Sequence, residues 1–327
     1  MIVLMRGMGS MLAALATASL LGMTSPVAAG SSSDPDPTRG EWEIQRSNDL
    51  GGDKVKLRLH HEWSKGGDQS NMSYSSDIAR DRLDISSGEW KASRADVSFD
   101  WTRDAGTVHF QGTLRHGEGS GDYEFEPDPR FRDELTRAGF REVDDYQMMR
   151  LAFHDIDRSW VRGFAGRDLS LDDLVRFKVH DVSPDFVRAM SSGGYRGLSA
   201  DDLVRFKVHG VEPRFVQELG DLGYDRPSPD DLIRLKVHGV EPSYIRELMA
   251  VASPKPSVDD VIRLHVHGVE ASFARDFRSA GFDGLAADDL VRLKVHGVTP
   301  ELAKRAKSRY RDVTVDDLIR LKVHGEL

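Results

Sequence analysis

The chain contains no cysteine. That absence removes disulfide staples, thiolate metal sites and lipid attachment through an N-terminal cysteine, so packing and hydrogen bonding alone must hold the fold. It also has no excess of positive charge. Lys and Arg number 45 against 54 Asp and Glu, for a formal net charge of −9, and this balance argues against a general binder of nucleic acid or another polyanion. Beyond residue 30 no apolar run is long enough to cross a bilayer. Aromatic residues are scarce, and four of the five tryptophans (Trp42, Trp63, Trp90, Trp101) fall in one stretch; a local core is expected there.

The N-terminus departs from this polar character. Arg6 is the only charge before an apolar run from Met8 to Met23 that ends in "SPVAAG". Val27 and Ala29 fit the small-residue positions of a signal-peptidase site, so residues 1–29 are expected to be a signal peptide cleaved after Ala29. The run is short for a membrane span, and no basic cluster follows it to stop transfer. The mature protein is therefore expected to be periplasmic or secreted.

Residues 30–39, "GSSSDPDPTR", are small, polar and proline-bearing, and read as a flexible leader. From 40 to 127 the pattern is that of strands. "EWEIQ", "KVKLRLHHEW", "DVSFDW", "GTVHFQGTL" and "GDYEFEP" alternate or are rich in β-formers, with turns at "RDAG" and "HGEGSG". An antiparallel meander or small sandwich is the expectation.

From 128 to 327 the pattern is helical and repeated. "DDLVRFKVHG" at 201–210 has near copies whose paired acids begin at Asp172, Asp230, Asp259, Asp288 and Asp316, a period of 29 residues falling to 28 at the last step. Such a period marks a stack of two-helix units. Ser170, Ser199, Ser228, Ser257 and Thr314 are placed to cap the first helix of each unit, with acids in its first turn. Gly or Asp after the histidine stops it, and Pro184, Pro213, Pro242 and Pro300 open the second helix. "PRFRDELTRAGF" (129–140) aligns without a gap to "PRFVQELGDLGY" (213–224), so the array begins earlier than its clearest copies. The expected fold class is α+β: a small antiparallel β domain capping an all-α solenoid of about seven two-helix repeats of 29 residues.

On a helical wheel Leu203, Val204, Phe206 and Val208 are assigned to a broad apolar arc, and Asp201, Arg205 and His209 to the opposite face at i, i+4 and i+8. The spacing predicts Asp–Arg pairs within each helix and a histidine favourable to the helix dipole in its last turn. Lys207 falls inside the apolar arc, where its methylene stem can pack while the ammonium reaches solvent or helix-end carbonyls.

The chemistry these residues support is limited. Zinc needs three or four donors converging on one point, whereas one histidine per rung, with rungs roughly 8–10 Å apart, offers isolated imidazoles. No metal or cofactor is expected. "HHEWS" lacks the second histidine of HExxH, "GEGSG" joins two strands and opens no helix, and no G-x-S-x-G elbow is present, so an enzyme is not expected. "HGVEP" between short helices resembles a helix-hairpin-helix turn, but Glu212, Glu241 and Glu270 stand where phosphate would approach. Nucleic acid is not an expected partner.

The repeat "LSxDDLIRLKVHGVxPxF" resembles one found in bacterial exported proteins and in the C-terminal extracytoplasmic extensions of BlaR-type antirepressor membrane metallopeptidases. The segment "DAGTVHFQGTLRHGEGSGDYEFEPDPRF" (104–131) is similar to the sheet portion preceding those repeats. The likeness covers roughly residues 95–327. The chain lacks the peptidase motif and membrane helices, so the resemblance implies a stand-alone version of the non-catalytic part.

Two functions follow as expectations. One is an exported, non-enzymatic scaffold that binds a protein or cell-envelope polymer through a repeated surface stripe, Arg176, Arg205, Arg234, Arg263, Arg292 and Arg320 with His180, His209, His238, His267 and His296. The other is an extracytoplasmic sensor whose β domain binds a small envelope-derived ligand, for which a pocket among the sheet aromatics would be the mark.

Overall fold

The computed structural model describes residues 38–46, 54–65, 68–252 and 254–325, the side chains of 62–65 and 68–72 excepted. The expected signal peptide and nearly all of the leader lie outside the described residues. Six strands form one antiparallel sheet: β1 (Arg39–Arg46), β2 (Lys54–Lys65), β3 (Asp68–Ala79), β4 (Ala95–Arg103), β5 (Gly106–Arg115) and β6 (Glu118–Pro127). Their order is β3-β2-β1-β6-β5-β4. The sheet is thus two three-stranded meanders joined where β1 pairs with β6, Trp42 opposite Gly121 and Gly40 opposite Tyr123. It is a single layer and not a sandwich.

Period-2 alternation sends one face inward. Trp42 and Ile44 of β1, Val97, Phe99 and Trp101 of β4, Val108 and Phe110 of β5, and Tyr123 and Phe125 of β6 are all buried. Phe99 stacks on Phe110 with centroids 4.6 Å apart, and Trp42 meets both rings edge-on. Gly112 makes room for this cluster, since a Cβ there would lie 2.6 Å from the Trp42 ring. The indole of Trp42 donates to the Gln111 carbonyl at 3.1 Å.

Three features of this region differ from expectation. Strand β1 begins at Arg39, inside the expected leader, because Arg39 pairs with Glu124. Of "HGEGSG", only His116 and Gly117 form the turn; the rest belongs to β6. Strand β3 and the short helix α1 (Ser87–Lys91) were not foreseen. The sequence of β3, "DQSNMSYSSDIA", is polar because it is an edge strand paired only with β2.

Helices occupy the rest. Even-numbered helices are α2 (Pro129–Arg137), α4 (Arg158–Phe164), α6 (Pro184–Ser192), α8 (Pro213–Asp221), α10 (Pro242–Met249), α12 (Ala271–Ser279) and α14 (Pro300–Arg309). Odd-numbered ones are α3 (Asp145–Phe153), α5 (Leu171–Val179), α7 (Ala200–Val208), α9 (Pro229–Val237), α11 (Val258–Val266), α13 (Ala287–Val295) and α15 (Val315–His324). Each helix packs on the one two places along, odd on odd and even on even.

The local chemistry of each odd helix is repeated. Ser199 caps α7 by accepting from the N–H of Asp202, and Ser170, Ser228, Ser257 and Thr314 do the same for their helices. At the other end His209 is the last half-helical residue and Gly210 takes the left-handed conformation at φ +68°. Val211 N–H then reaches back to the Phe206 carbonyl at 2.8 Å, and Gly210 N–H to that of Lys207 at 3.2 Å. This is a Schellman closure, with buried Val211 and Phe206 as its apolar contact. Asp181 holds the same left-handed position after α5, at φ +57°.

Sheet and helices share one core. Phe153 of α3 stacks on Trp101 and meets Tyr123 edge-on, with centroids 6.4 and 5.8 Å apart. Buried residues run without interruption from Trp42 through the sheet into the helices as far as Ile262. Arg158 at the start of α4 fastens the junction from the polar side. Its guanidinium pairs with Asp104 and Asp128 at 3.0 Å each and with Glu134 at 3.2 Å.

Candidate functional site

In α5, α7, α9, α11, α13 and α15 the fourth residue after the first acid is an arginine, and in all but the last the structure assigns it a partner that intrahelical spacing does not reveal. Arg205 Nη2 lies 2.6 Å from Asp230, the first acid of the next odd helix. Arg176–Asp201 (3.0 Å), Arg234–Asp259 (2.7 Å), Arg263–Asp288 (2.5 Å) and Arg292–Asp316 repeat the contact. Arg150 of α3 and Asp172 of α5 extend it toward the sheet, whereas Arg132 of the even helix α2 pairs with Asp145 at the start of α3. From Arg176 onward each of these arginines also approaches the second acid of its own helix, as Arg234 does Asp231 at 3.2 Å. The expected i, i+4 pair is therefore replaced by an i−3 contact and a bridge to the neighbour. For Arg205, Arg234 and Arg292, the hydrogen bond to the next helix's aspartate raises the guanidinium pKa further.

The paired acids thus divide their labour. The first receives the arginine of the preceding helix. The second closes the N-terminus: Asp173 accepts the Ser170 N–H at 3.0 Å while Ser170 Oγ accepts the Asp173 N–H at 3.1 Å.

The lysine inside the apolar arc is likewise used between neighbours. Lys207 Nζ sits 5.0 Å from the centre of the Phe186 ring, Lys236 4.7 Å from Phe215, and Lys294 5.0 Å from Phe273. Lys178 lies 4.6 Å over Trp160 and donates to the Asp155 carbonyl at 2.9 Å, the helix-end contact foreseen for this position. Where the lysine becomes His265 the facing ring is Tyr244, edge-on at 4.8 Å, with its hydroxyl on the Val269 carbonyl. In the connections that follow α6 and α8, Tyr195 and Tyr224 donate to the carbonyls of Pro227 (2.6 Å) and Pro256 (2.7 Å).

With these roles assigned, two repeated side chains are left over. His180, His209, His238, His267 and His296 are exposed at the helix C-termini. Beside each stands a valine, and the structure corrects its expected place in the core. Val179, Val208, Val237, Val266, Val295 and Val323 are 58–63% exposed. Sequence reasoning passed over these valines because an apolar residue next to a buried arc is assigned inward by default. The available signal was identity: the position of Phe206 changes from Phe to Leu along the array, whereas valine recurs before every one of these histidines. Among the described residues no three His, Asp or Glu side chains converge where they could hold a metal ion. No helix among the described residues is long and apolar enough to cross a membrane.

No family model matches the chain, and no curated protein matches it either.

Proposed function

We propose that the helical region is a solenoid of seven two-helix units, and that the protein is an exported, non-enzymatic scaffold which binds a protein or envelope polymer along its Val–His ribbon. The observation that carries this reading is the recurrence of a valine about three-fifths exposed at one position of six odd helices. An apolar side chain left in water contributes little to folding, so its repetition points to a surface that becomes covered. The alternation of contacts along the chain supports the stack, which presents one position many times on a rigid face. The arginines originally expected to form the binding face border the ribbon and hold its units in register, so they shape the surface more than they contact a partner.

The test is affinity capture from envelope extract with mature residues 30–327 and a variant carrying Val208→Lys, Val237→Lys and Val266→Lys. Lysine suits a helix C-terminus, so the fold should survive, and helical circular dichroism would establish this first. A partner retained by the parent and lost by the variant supports the reading. An identical captured set with a correctly folded variant would refute the ribbon as the face. An arginine-to-glutamate variant is a poorer probe, because it also breaks contacts between units.

A further inference from the structure

Where β3, β4 and the turn after α3 meet, a cavity of about 270 Å³ opens at the seam between sheet and helices. Its apolar wall is made by Tyr74, Ile78 and Trp101. Trp101 is buried in a three-ring cluster, 6.4 Å from both Phe153 and Tyr74, which lie 5.6 Å from each other. Its indole N–H is buried and has no hydrogen-bond acceptor in the protein.

The polar wall holds more positive charge than the protein itself neutralises. Lys54, Arg82 and Arg103 line the cavity, against the two acids Asp77 and Asp155. Arg103 lies with its guanidinium carbon 4.4 Å over the Trp101 ring. Its Nε is 3.2 Å from Asp155 but finds no aligned hydrogen-bond partner. Among the described residues Lys54 and Arg82 have no ion pair at all, although most repeated cations of this chain are tied to a carboxylate, carbonyl or ring. Burial lowers the Arg103 pKa, Asp155 offsets part of that, and the like charge of Arg82 lowers it again.

We infer that this cavity binds a small carboxylate or phosphate ester, its anionic oxygens held between Arg82 and Arg103 and its short apolar body against Tyr74 and Ile78. A guanidinium fork matches such oxygens in pairs. The volume lies just below the usual range for drug-sized ligands, roughly 300–1,000 Å³, which limits the occupant to a single ring or short chain. Because Arg103 belongs to the sheet and Asp155 to the helices, the occupant touches both sides of the seam. This site is independent of the Val–His ribbon, and either can fail alone.

The experiment is titration calorimetry of mature residues 30–327 with benzoate, phenyl phosphate and, as a neutral control of the same shape, benzamide. Saturable one-to-one binding of at least one of the two anions, with none of benzamide, is the expected result. Arg82→Gln should weaken that anion about tenfold, the loss of one charge-assisted contact. Arg82 is exposed and unpaired, so this variant should keep the parent's fold; Arg103→Gln is run beside it and should weaken binding at least as much. Failure of both anions to bind at millimolar concentration, equal binding of benzamide, or an affinity unchanged in a folded Arg82→Gln protein would each overturn the assignment.

Discussion

Val204 and Val208 occupy the same helix, one turn apart, and the structure gives them opposite fates: Val204 is 7% exposed and Val208 59%. Replacing valine by alanine removes about two methylene equivalents, each worth about 0.8 kcal/mol when fully buried. For Val204 that is about 1.5 kcal/mol, to which the cavity left in a packed interior adds. For Val208, only two-fifths covered, the transfer loss falls to about 0.6 kcal/mol. Alanine is also the better helix former by roughly that amount, so the two effects nearly cancel. Urea unfolding followed by far-ultraviolet circular dichroism should therefore show Val204→Ala clearly destabilised and Val208→Ala within about 0.5 kcal/mol of the parent. The prediction extends to the six-fold variant lacking every ribbon valine, which should unfold near the parent. If Val208→Ala costs as much as Val204→Ala, the valines are structural and the case for a binding ribbon falls with them.

Other perturbations test the remaining contacts. Helix α13 alone among the repeated odd helices begins with an uncapping residue, Ala286; Ala286→Ser should add about 1 kcal/mol in the same assay. Tyr224→Phe strands the Pro256 carbonyl and should cost about 1 kcal/mol. Burial pushes the phenols of Tyr195 and Tyr224 up to about 12, so in a spectrophotometric titration both should remain protonated at pH 10.5, and ionisation there in the folded protein would contradict their placement. His109 of β5 and His154 at the end of α3 should part in an NMR titration. His109 titrates above 6.5, held mainly by its hydrogen bond to Asp100, and His154 below 6.5 because it is buried. The unfolded chain then takes up His154's proton before the folded one does, so stability falls as pH drops below 6.5 and levels off under the folded pKa. His109 acts oppositely: its contribution is complete below 6.5 and lost as pH rises through its folded pKa. His154→Gln should flatten the acid-side loss; an unchanged profile would show that His154 is not the group responsible.

Much of the helical region was legible because its signals are local. Caps, stops and opening prolines depend on a few adjacent residues, and Ser199, Gly210 and Pro213 act where the spacing places them. Contacts between units were not legible in the same way. A helical wheel compares residues of one helix, so it offers Arg205 the acid four positions back and cannot see Asp230 across the gap. The wheel did hold a warning about Val208, which at 100° per residue falls about 20° from Asp201, on the charged side. Strand β3 alternates, Tyr74, Ser76 and Ile78 turning inward, but with serine among them its apolar signal is weak. The cavity at Arg103 joins residues from β2, β3, β4 and the turns after β3 and α3, so neither left a clear mark in any one window of the chain.

The bonds that join the helices share fixed offsets. From Arg176 on, Arg to Asp is 25 residues forward, except that Arg292 reaches only 24 where the last connection is one shorter. Tyr to Pro is 32 forward, and Lys207, Lys236 and Lys294 reach back to a ring at one shared interval, Lys207 to Phe186 as Lys236 to Phe215. Such bonds specify relative position, never absolute position. Excising residues 201–229 would hand Arg176 the aspartate at 230 and Lys236 the phenylalanine at 186, leaving no interior group without its counterpart. Removal of ten or twenty residues would orphan every one of them at the cut. The length of the array is thus free to change by gene duplication or deletion in whole units, and the reach of the molecule can be lengthened or shortened without redesigning a single contact.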